Sequence, residues 1–203
     1  MSGDRLAGDV EGAVMGMAIK VVGLGGSLRD GSQTERALRL ALAGAESAGA
    51  ETLAITGSDL ALPFYDAGEI DRTPEAAYLV EQVRTADGVI IASPGYHGAL
   101  SGLVKNALDY IEDLRGDERP YLDGRAVGLA SIAFGWQASV ATLAQLRTIT
   151  HSLRGWPTPL GGAINSAEVK FDEGGGCSSE KAEFTLRTIG TQVVEFARFR
   201  AGH

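Results

Sequence analysis

The chain has a single cysteine, Cys177, among 203 residues. It can therefore close no intrachain disulfide and build no multi-cysteine metal site, an inventory that suits a reducing cytoplasm. Cys177 lies in a glycine-rich stretch with no activating base in view and reads as an inert thiol. Positive charge is also scarce. Lys and Arg number 18 against 26 Asp and Glu, a formal net charge of -8, which repels phosphate backbones and anionic lipid surfaces and sets nucleic acid aside as a partner. Long apolar runs are absent, and the longest are strand-sized, well short of the roughly 20 residues that span a bilayer, so no membrane segment is expected. Histidine is limited to His97, His151 and His203. With no Gly-x-Ser-x-Gly elbow and no His and acid cluster at ligand spacing, a hydrolase triad and a metal centre both lack material. Residues 1–17 carry Asp4, Asp9 and Glu11 among small residues. They lack the basic start and apolar core of a signal peptide and read as a disordered N-terminal extension, leaving residues 18–203 as one domain.

What is present is the composition of an α/β protein: 44% hydrophobic, 22% charged and 28 glycines. Short β-branched runs at Ile19–Leu24, Thr52–Ile55, Gly88–Ala92 and Ala126–Ala133 read as buried parallel strands, with a fifth at Pro159–Ile164. Helical spacing separates them. Leu38, Ala41, Leu42 and Ala45 mark a helix from Glu35 to Ala48, opened by Ser32 and Glu35 at capping-box spacing. Pro74 opens a second helix to Arg84. Others are expected over Leu100–Leu114, Ser139–Leu153 and Glu180–Phe199, with Leu60–Thr73 a loop and Glu168–Ser179 a flexible surface segment. Strands alternating with helices predict a three-layer α/β/α sandwich around a five-stranded parallel sheet of order 2-1-3-4-5.

In that order strands 1 and 3 are neighbours, and ligands bind beyond their carboxyl ends. The loop after strand 1 is small and hydroxyl-rich, with Ser27, Arg29, Ser32, Gln33 and Thr34 at the start of a helix. Orphan amides, hydroxyl donors and one guanidinium suit a phosphate. The alternative is that Ser32 merely caps the helix and Arg29 is solvated. The loop after strand 3, Pro94-Gly95-Tyr96-His97-Gly98, offers backbone approach and an aromatic face to a flat ring. His97 either donates to a ring carbonyl or simply faces solvent. Phe134, Gly135 and Trp136, after strand 4, either border the ring or pack the strand end. Lys105, Asn106 and Asp109 on the helix after the ring loop read equally well as a solvated or interface face. A phosphate at one end of a ligand and a planar heterocycle at the other point to flavin mononucleotide (FMN).

Competing phosphate loops fail on single residues. A P-loop requires a lysine that this loop lacks, and a dinucleotide fingerprint requires a glycine where Leu28 stands. Asp59, after strand 2, is weak support for a ribose contact.

The two loops resemble those of the NADPH-dependent FMN reductases. Gly26, Ser27, Arg29, Ser32 and Thr34 match the family's phosphate loop. Pro94, Tyr96, Ser101, Gly102, Val104 and Lys105 match its second motif. The chain departs at His97, where asparagine is commoner, and at Phe134–Gln137, which replace a diglycine and reshape the pocket. The resemblance implies a flavodoxin-like fold over residues 19 to about 165. It also implies FMN as cofactor and NADPH or NADH as hydride donor, with a small-molecule acceptor such as free flavin, a quinone, an azo compound or a metal oxyanion. It names no obligatory catalytic side chain. It further implies ping-pong kinetics and a homodimer or homotetramer, for which Tyr110, Tyr121 and Trp156 are the surface candidates. A flavodoxin-type electron carrier, bound to flavin but inert to NADPH, is the alternative.

Overall fold

Alternation within the apolar runs assigns each strand residue to one of two layers. In the computed structural model, which describes residues 18–202, the first strand is β1 (Ile19–Gly25). Ile19 and Val21 face one side and Val22 and Leu24 the other. The same split runs through β3 (Gly88–Tyr96) and β5 (Ala126–Ala133): Ile90 and Ala130 enter the first layer, and Val89, Ile91, Val127 and Leu129 the second. Strands buried on both faces are those of a parallel sheet. With β2 (Ala50–Thr56) at one edge, the order is β2-β1-β3-β5, all parallel. This is the expected doubly wound, flavodoxin-like arrangement. The N-terminal extension expected over residues 1–17 lies outside the described residues.

Helices α1 (Gln33–Ser47) and α5 (Glu180–Ala201) cover the first face. The second is covered by α2 (Pro74–Thr85), α3 (Gly102–Asp109) and α4 (Trp136–Ser152). Helix α2 begins as anticipated, with Pro74 in its first turn and the Thr73 hydroxyl accepting from the Ala76 amide. Helices α1 and α5 meet backbone to backbone. A methyl group placed on Gly190 would lie 2.0 Å from the Ala41 carbonyl oxygen, and one on Gly44 would lie 2.2 Å from that of Arg187.

The fifth strand position corrects the sequence expectation. Instead of one strand at Pro159–Ile164, two fragments pair with β5, namely β6 (Trp156–Pro157) and β7 (Gly162–Asn165). Pro157 and Pro159 have no N–H to donate, which breaks a continuous ladder. Across the break the Thr158 hydroxyl donates to the Leu160 carbonyl and the Leu160 amide donates to Gln192. The helix expected over Leu100–Leu114 is also divided. Its first residues form β4 (Ala99–Leu100), antiparallel to the end of β3. Ser101 caps α3, and a 3-10 turn follows at Tyr110–Leu114. Helix α4 starts three residues earlier than expected, at Trp136.

The segment Glu168–Ser179 is anchored rather than loose. Val169 and Phe171 are buried, and Phe171 forms an isolated antiparallel bridge with Cys177. The loop Leu60–Thr73 is likewise tied down. Arg72 makes a two-pronged ion pair with Asp113 at 2.8 Å on each prong and stacks over the Tyr65 and Tyr110 rings. Its own guanidinium charge is thereby reinforced, chiefly by the hydrogen bond to Asp113.

Candidate functional site

At the carboxyl end of β1 the chain turns within hydrogen-bonding distance of β3. Gly25 lies opposite Ala92, and a methyl group at Gly25 would sit 2.1 Å from the Ala92 oxygen. The Gly26 amide, at φ 109°, donates to that oxygen. Only glycine fits these two positions, because a side chain at either would be strained or would strike β3. The turn delivers Ser27–Gly31 to the start of α1. There the extended Ser32 caps the helix, its hydroxyl accepting from the Glu35 amide at 3.2 Å.

The capping box is shifted by one residue. Glu35 reaches back to the Gly31 amide at 2.9 Å, with its other oxygen bonded to Arg39. Burial alone would raise the Glu35 pKa, but Arg39 and the Gly31 amide outweigh it and hold the carboxylate below its usual range. Its charge is thus neutralised locally. The cation at the loop, Arg29, is exposed and forms no ion pair among the described residues.

Donors remain for an anion. Ser27 uses a lone pair to accept from the Arg29 amide, and Ser32 uses one for Glu35, so both hydroxyl hydrogens are free to donate outward. The first helical amides, those of Gln33 and Thr34, have no acceptor within the helix. Gln33 itself departs from expectation. Its side-chain amide is spent on both backbone groups of Phe171, donating to the carbonyl at 2.9 Å and accepting from the N–H at 2.8 Å. Its side chain therefore fastens the 168–179 segment to α1, and its main-chain amide opens the helix beside the loop.

The second loop is a two-residue hairpin that the sequence reading missed. Tyr96 pairs with Ala99, and His97 and Gly98 have φ values of 53° and 82°. Positive φ at both central residues defines a type I′ turn, in which Asn-Gly is favoured, and histidine is among the side chains that tolerate this region. The Gly98 carbonyl accepts from Gln145 at 2.9 Å and the Ser101 amide donates to Ser93 at 3.0 Å, fixing the hairpin against α4 and β3. Gly95 also proves different. A methyl group there would lie 2.8 Å from both Ala133 and the Thr142 hydroxyl, so its small size serves packing beneath the hairpin rather than ligand approach. Pro94 is buried. Tyr96 projects outward, 54% exposed.

The third loop follows β5, one strand further across. Phe134 is 84% exposed, and the Gly135 amide, at φ 107°, donates to Asn165 at 2.8 Å. Asn165 also holds the Ala167 amide, and its own side-chain amine donates to Glu168, which accepts from the Trp136 indole as well. Nothing in the sequence pattern marks this buried asparagine, because its partners come from separate loops. Asn106, expected on a solvated or interface face, has its role hidden from the sequence in the same way. It is no solvated face but the clamp of loop 61–73, donating to the Pro63 carbonyl and accepting from the Tyr65 amide. Lys105 and Asp109 do pair on the exposed surface. Tyr110 is buried, its hydroxyl bonded to Pro63, and is removed from the surface candidates. Tyr121 is half-buried under Arg154. Trp156 is exposed against Phe196.

The three loops leave neighbouring strands, so at a spacing of about 4.8 Å per strand they spread over roughly 10 Å. One wall is built of anion donors and the other of exposed aromatic side chains, a combination that fits a phosphate joined to a planar ring. Beside the second and third loops, a cavity of about 470 Å³ is bordered by His97, Phe134 and Trp136. Among the described residues no cluster of His, Cys, Asp or Glu could hold a metal ion, and no helix is long and apolar enough to cross a membrane.

The family described as NADPH-dependent FMN reductase matches residues 19–168. The FMN-dependent NADPH-azoreductase of Staphylococcus aureus is 33% identical over 120 residues, covering 58% of this chain; the match spans only 60% of that relative's length. Among solved structures, FerB, a flavoenzyme NAD(P)H:(acceptor) oxidoreductase of Paracoccus denitrificans, superposes with a TM-score of 0.74. It has 18% identity, and the match covers 90% of this chain and 99% of that one. A flavodoxin from the domain Archaea superposes at 0.59 with 11% identity, covering 89% and 99% respectively. At these identities the structural likenesses establish the fold alone.

Proposed function

Because the chain belongs to the NADPH-dependent FMN reductase family, we propose that it is an FMN-dependent NAD(P)H oxidoreductase serving a small-molecule acceptor. In net terms NADPH, a proton and a two-electron acceptor give NADP+ and the reduced acceptor. FMN bound at the three loops would supply the hydride-accepting and electron-donating chemistry, and the protein supplies placement. The Ser27 and Ser32 hydroxyls, the Gln33 and Thr34 amides and Arg29 would hold the phosphate. Tyr96, the His97-Gly98 turn, Phe134 and Gly135 would border the ring, with Pro94 and Gly95 supporting them from below.

The observation that carries this reading is the convergence of an anion-binding helix start and an aromatic-lined turn on adjacent strands. An oxidoreductase is favoured over a flavodoxin-type carrier by the cavity of about 470 Å³ beside the turn, which leaves space for a second molecule. The S. aureus relative is named for azo reduction, which supports an azo compound among the candidate acceptors beside quinones, free flavin and metal oxyanions. We assign the protein to the cytoplasm and to a homodimer or homotetramer. Phe64 and Ile70, exposed on the loop that Arg72 and Asn106 hold in place, together with Trp156, offer the apolar contact surface.

The test is to mix the purified protein with FMN and NADPH without oxygen, follow the flavin and nicotinamide absorbance, and then add each acceptor class separately. Bleaching of both bands, followed by flavin recovery with at least one acceptor, is expected. Bound flavin with no loss of NADPH would indicate the carrier, and no flavin binding would overturn the assignment.

A further inference from the structure

Trp136 is a partition between two cavities. On one side lies the space beside His97 and Phe134; on the other, a second cavity of about 470 Å³ opens between β7 and the first turn of α5. Each is within the roughly 300 to 1,000 Å³ usual for small-molecule sites. The second is walled by Leu160, Ile164, Val169 and Ala182, with Lys181 and Glu168 as its charged members.

The partition is built and not incidental. The Trp136 indole N–H donates to Glu168 at 2.9 Å, and Asn165 donates to the same oxygen at 2.7 Å while gripping the Gly135 amide. Both donors take one Glu168 oxygen and so fix the carboxylate against the partition. Lys181 has no carboxylate within ion-pair distance among the described residues, so its ammonium is left for whatever enters.

Resting on the oxidoreductase reading above, we propose that this second cavity is a subsite for the far end of an extended aromatic acceptor carrying one negative charge. Trp136 is the wall on which the acceptor lies, and Lys181 is the specificity-determining cation. The apolar walls suit an aryl ring, and a single free lysine in a chain of net charge -8 matches one sulfonate or carboxylate. It does not match the several phosphate charges of a nicotinamide nucleotide, which require more donors than the cavity presents. The indole offers a flat apolar face to an aryl ring that enters this cavity.

The direct test uses the full-length chain in a Trp156→Phe background, which leaves Trp136 as the single emitter of the two tryptophans. A para-sulfonated azobenzene and its neutral sulfonamide counterpart are titrated while indole fluorescence is followed. Saturable quenching is expected, with Lys181→Gln weakening the sulfonate about fivefold and the sulfonamide less than twofold. In steady-state assays the sulfonate-to-sulfonamide ratio of kcat/KM should fall by the same factor. Equal weakening of both probes, or of neither, overturns the subsite. So does a rise in the KM for NADPH without one for NADH, which would give the cavity to the donor's phosphate. Wild-type protein that fails to oxidise NADPH with benzoquinone would sink the oxidoreductase reading. In that event the binding titration still decides whether Lys181 selects an aromatic anion.

Discussion

Replacing Arg29 by alanine tests the phosphate wall with one atom group. A desolvated arginine–phosphate pair is worth roughly 2 to 5 kcal/mol on truncation, the size expected when the loop is read from sequence alone. In the structure Arg29 is exposed and water reaches it, so both partners keep part of their hydration and the increment shrinks to about 1 to 2 kcal/mol. That corresponds to a loss in FMN affinity of roughly 5- to 30-fold. The remaining affinity rests on the Ser27 and Ser32 hydroxyls and the α1 amides, which the substitution leaves in place. An exposed pair is also screened: the Debye length drops from about 10 Å at 0.1 M salt to about 3 Å at 1 M. Titration by flavin fluorescence at both ionic strengths should show the wild type losing more affinity to salt than Arg29→Ala, so that the two converge. A variant Kd within twofold of wild type at low salt would remove Arg29 from the site. A loss beyond a hundredfold, insensitive to salt, would mean that the loop closes and desolvates the pair.

Further outcomes follow from contacts elsewhere in the fold. Arg39 and the Gly31 amide outweigh burial and hold the Glu35 carboxyl below its ordinary pKa, so the unfolded chain binds more protons in acid and stability is lost as pH falls through the carboxylate range; Glu35→Gln should flatten the acid limb of a urea-unfolding series between pH 7 and 3. Arg125 is 1% exposed and donates to the carbonyls of Arg84, Ala86 and Tyr121, closing the end of α2. Burial, with Arg119 nearby, pushes its pKa down to about 10, so it stays charged at neutral pH, and Arg125→Met should lower unfolding free energy by about 3 kcal/mol through orphaned carbonyls. Gly190→Ala should destabilise by about 1 to 3 kcal/mol, because its methyl group must displace the α1 backbone; an unchanged denaturation midpoint would refute that contact.

The elements that were legible in the sequence are those whose signal is local. The strands β1, β3 and β5 announce themselves as β-branched runs, and Ser32 and Pro74 mark the starts of α1 and α2. The loops holding Ser27 and Tyr96 could be placed because strand order follows from alternation of elements. What stayed hidden depends on distant partners. Gln33 looks like a ligand residue until Phe171, 138 positions away, occupies it. Asn106 and Tyr110 resemble surface residues until Pro63 folds over them. The fifth strand was misplaced because Pro157 and Pro159 interrupt the ladder at a point where an apolar run alone suggests continuity. The His97-Gly98 hairpin was missed for another reason. The sequence points to backbone approach at Pro94 and Gly95, whereas the turn is decided by the positive φ that His97 and Gly98 supply.

The proposed function requires one FMN to span the turns after β1 and β3. A crystal structure of the protein grown with FMN measures it most directly. The phosphate is expected within hydrogen-bond distance of the Ser27 hydroxyl and the Thr34 amide, with the isoalloxazine ring against Tyr96. A phosphate bound away from the α1 start, or a ring that does not touch the Tyr96 loop, would contradict it.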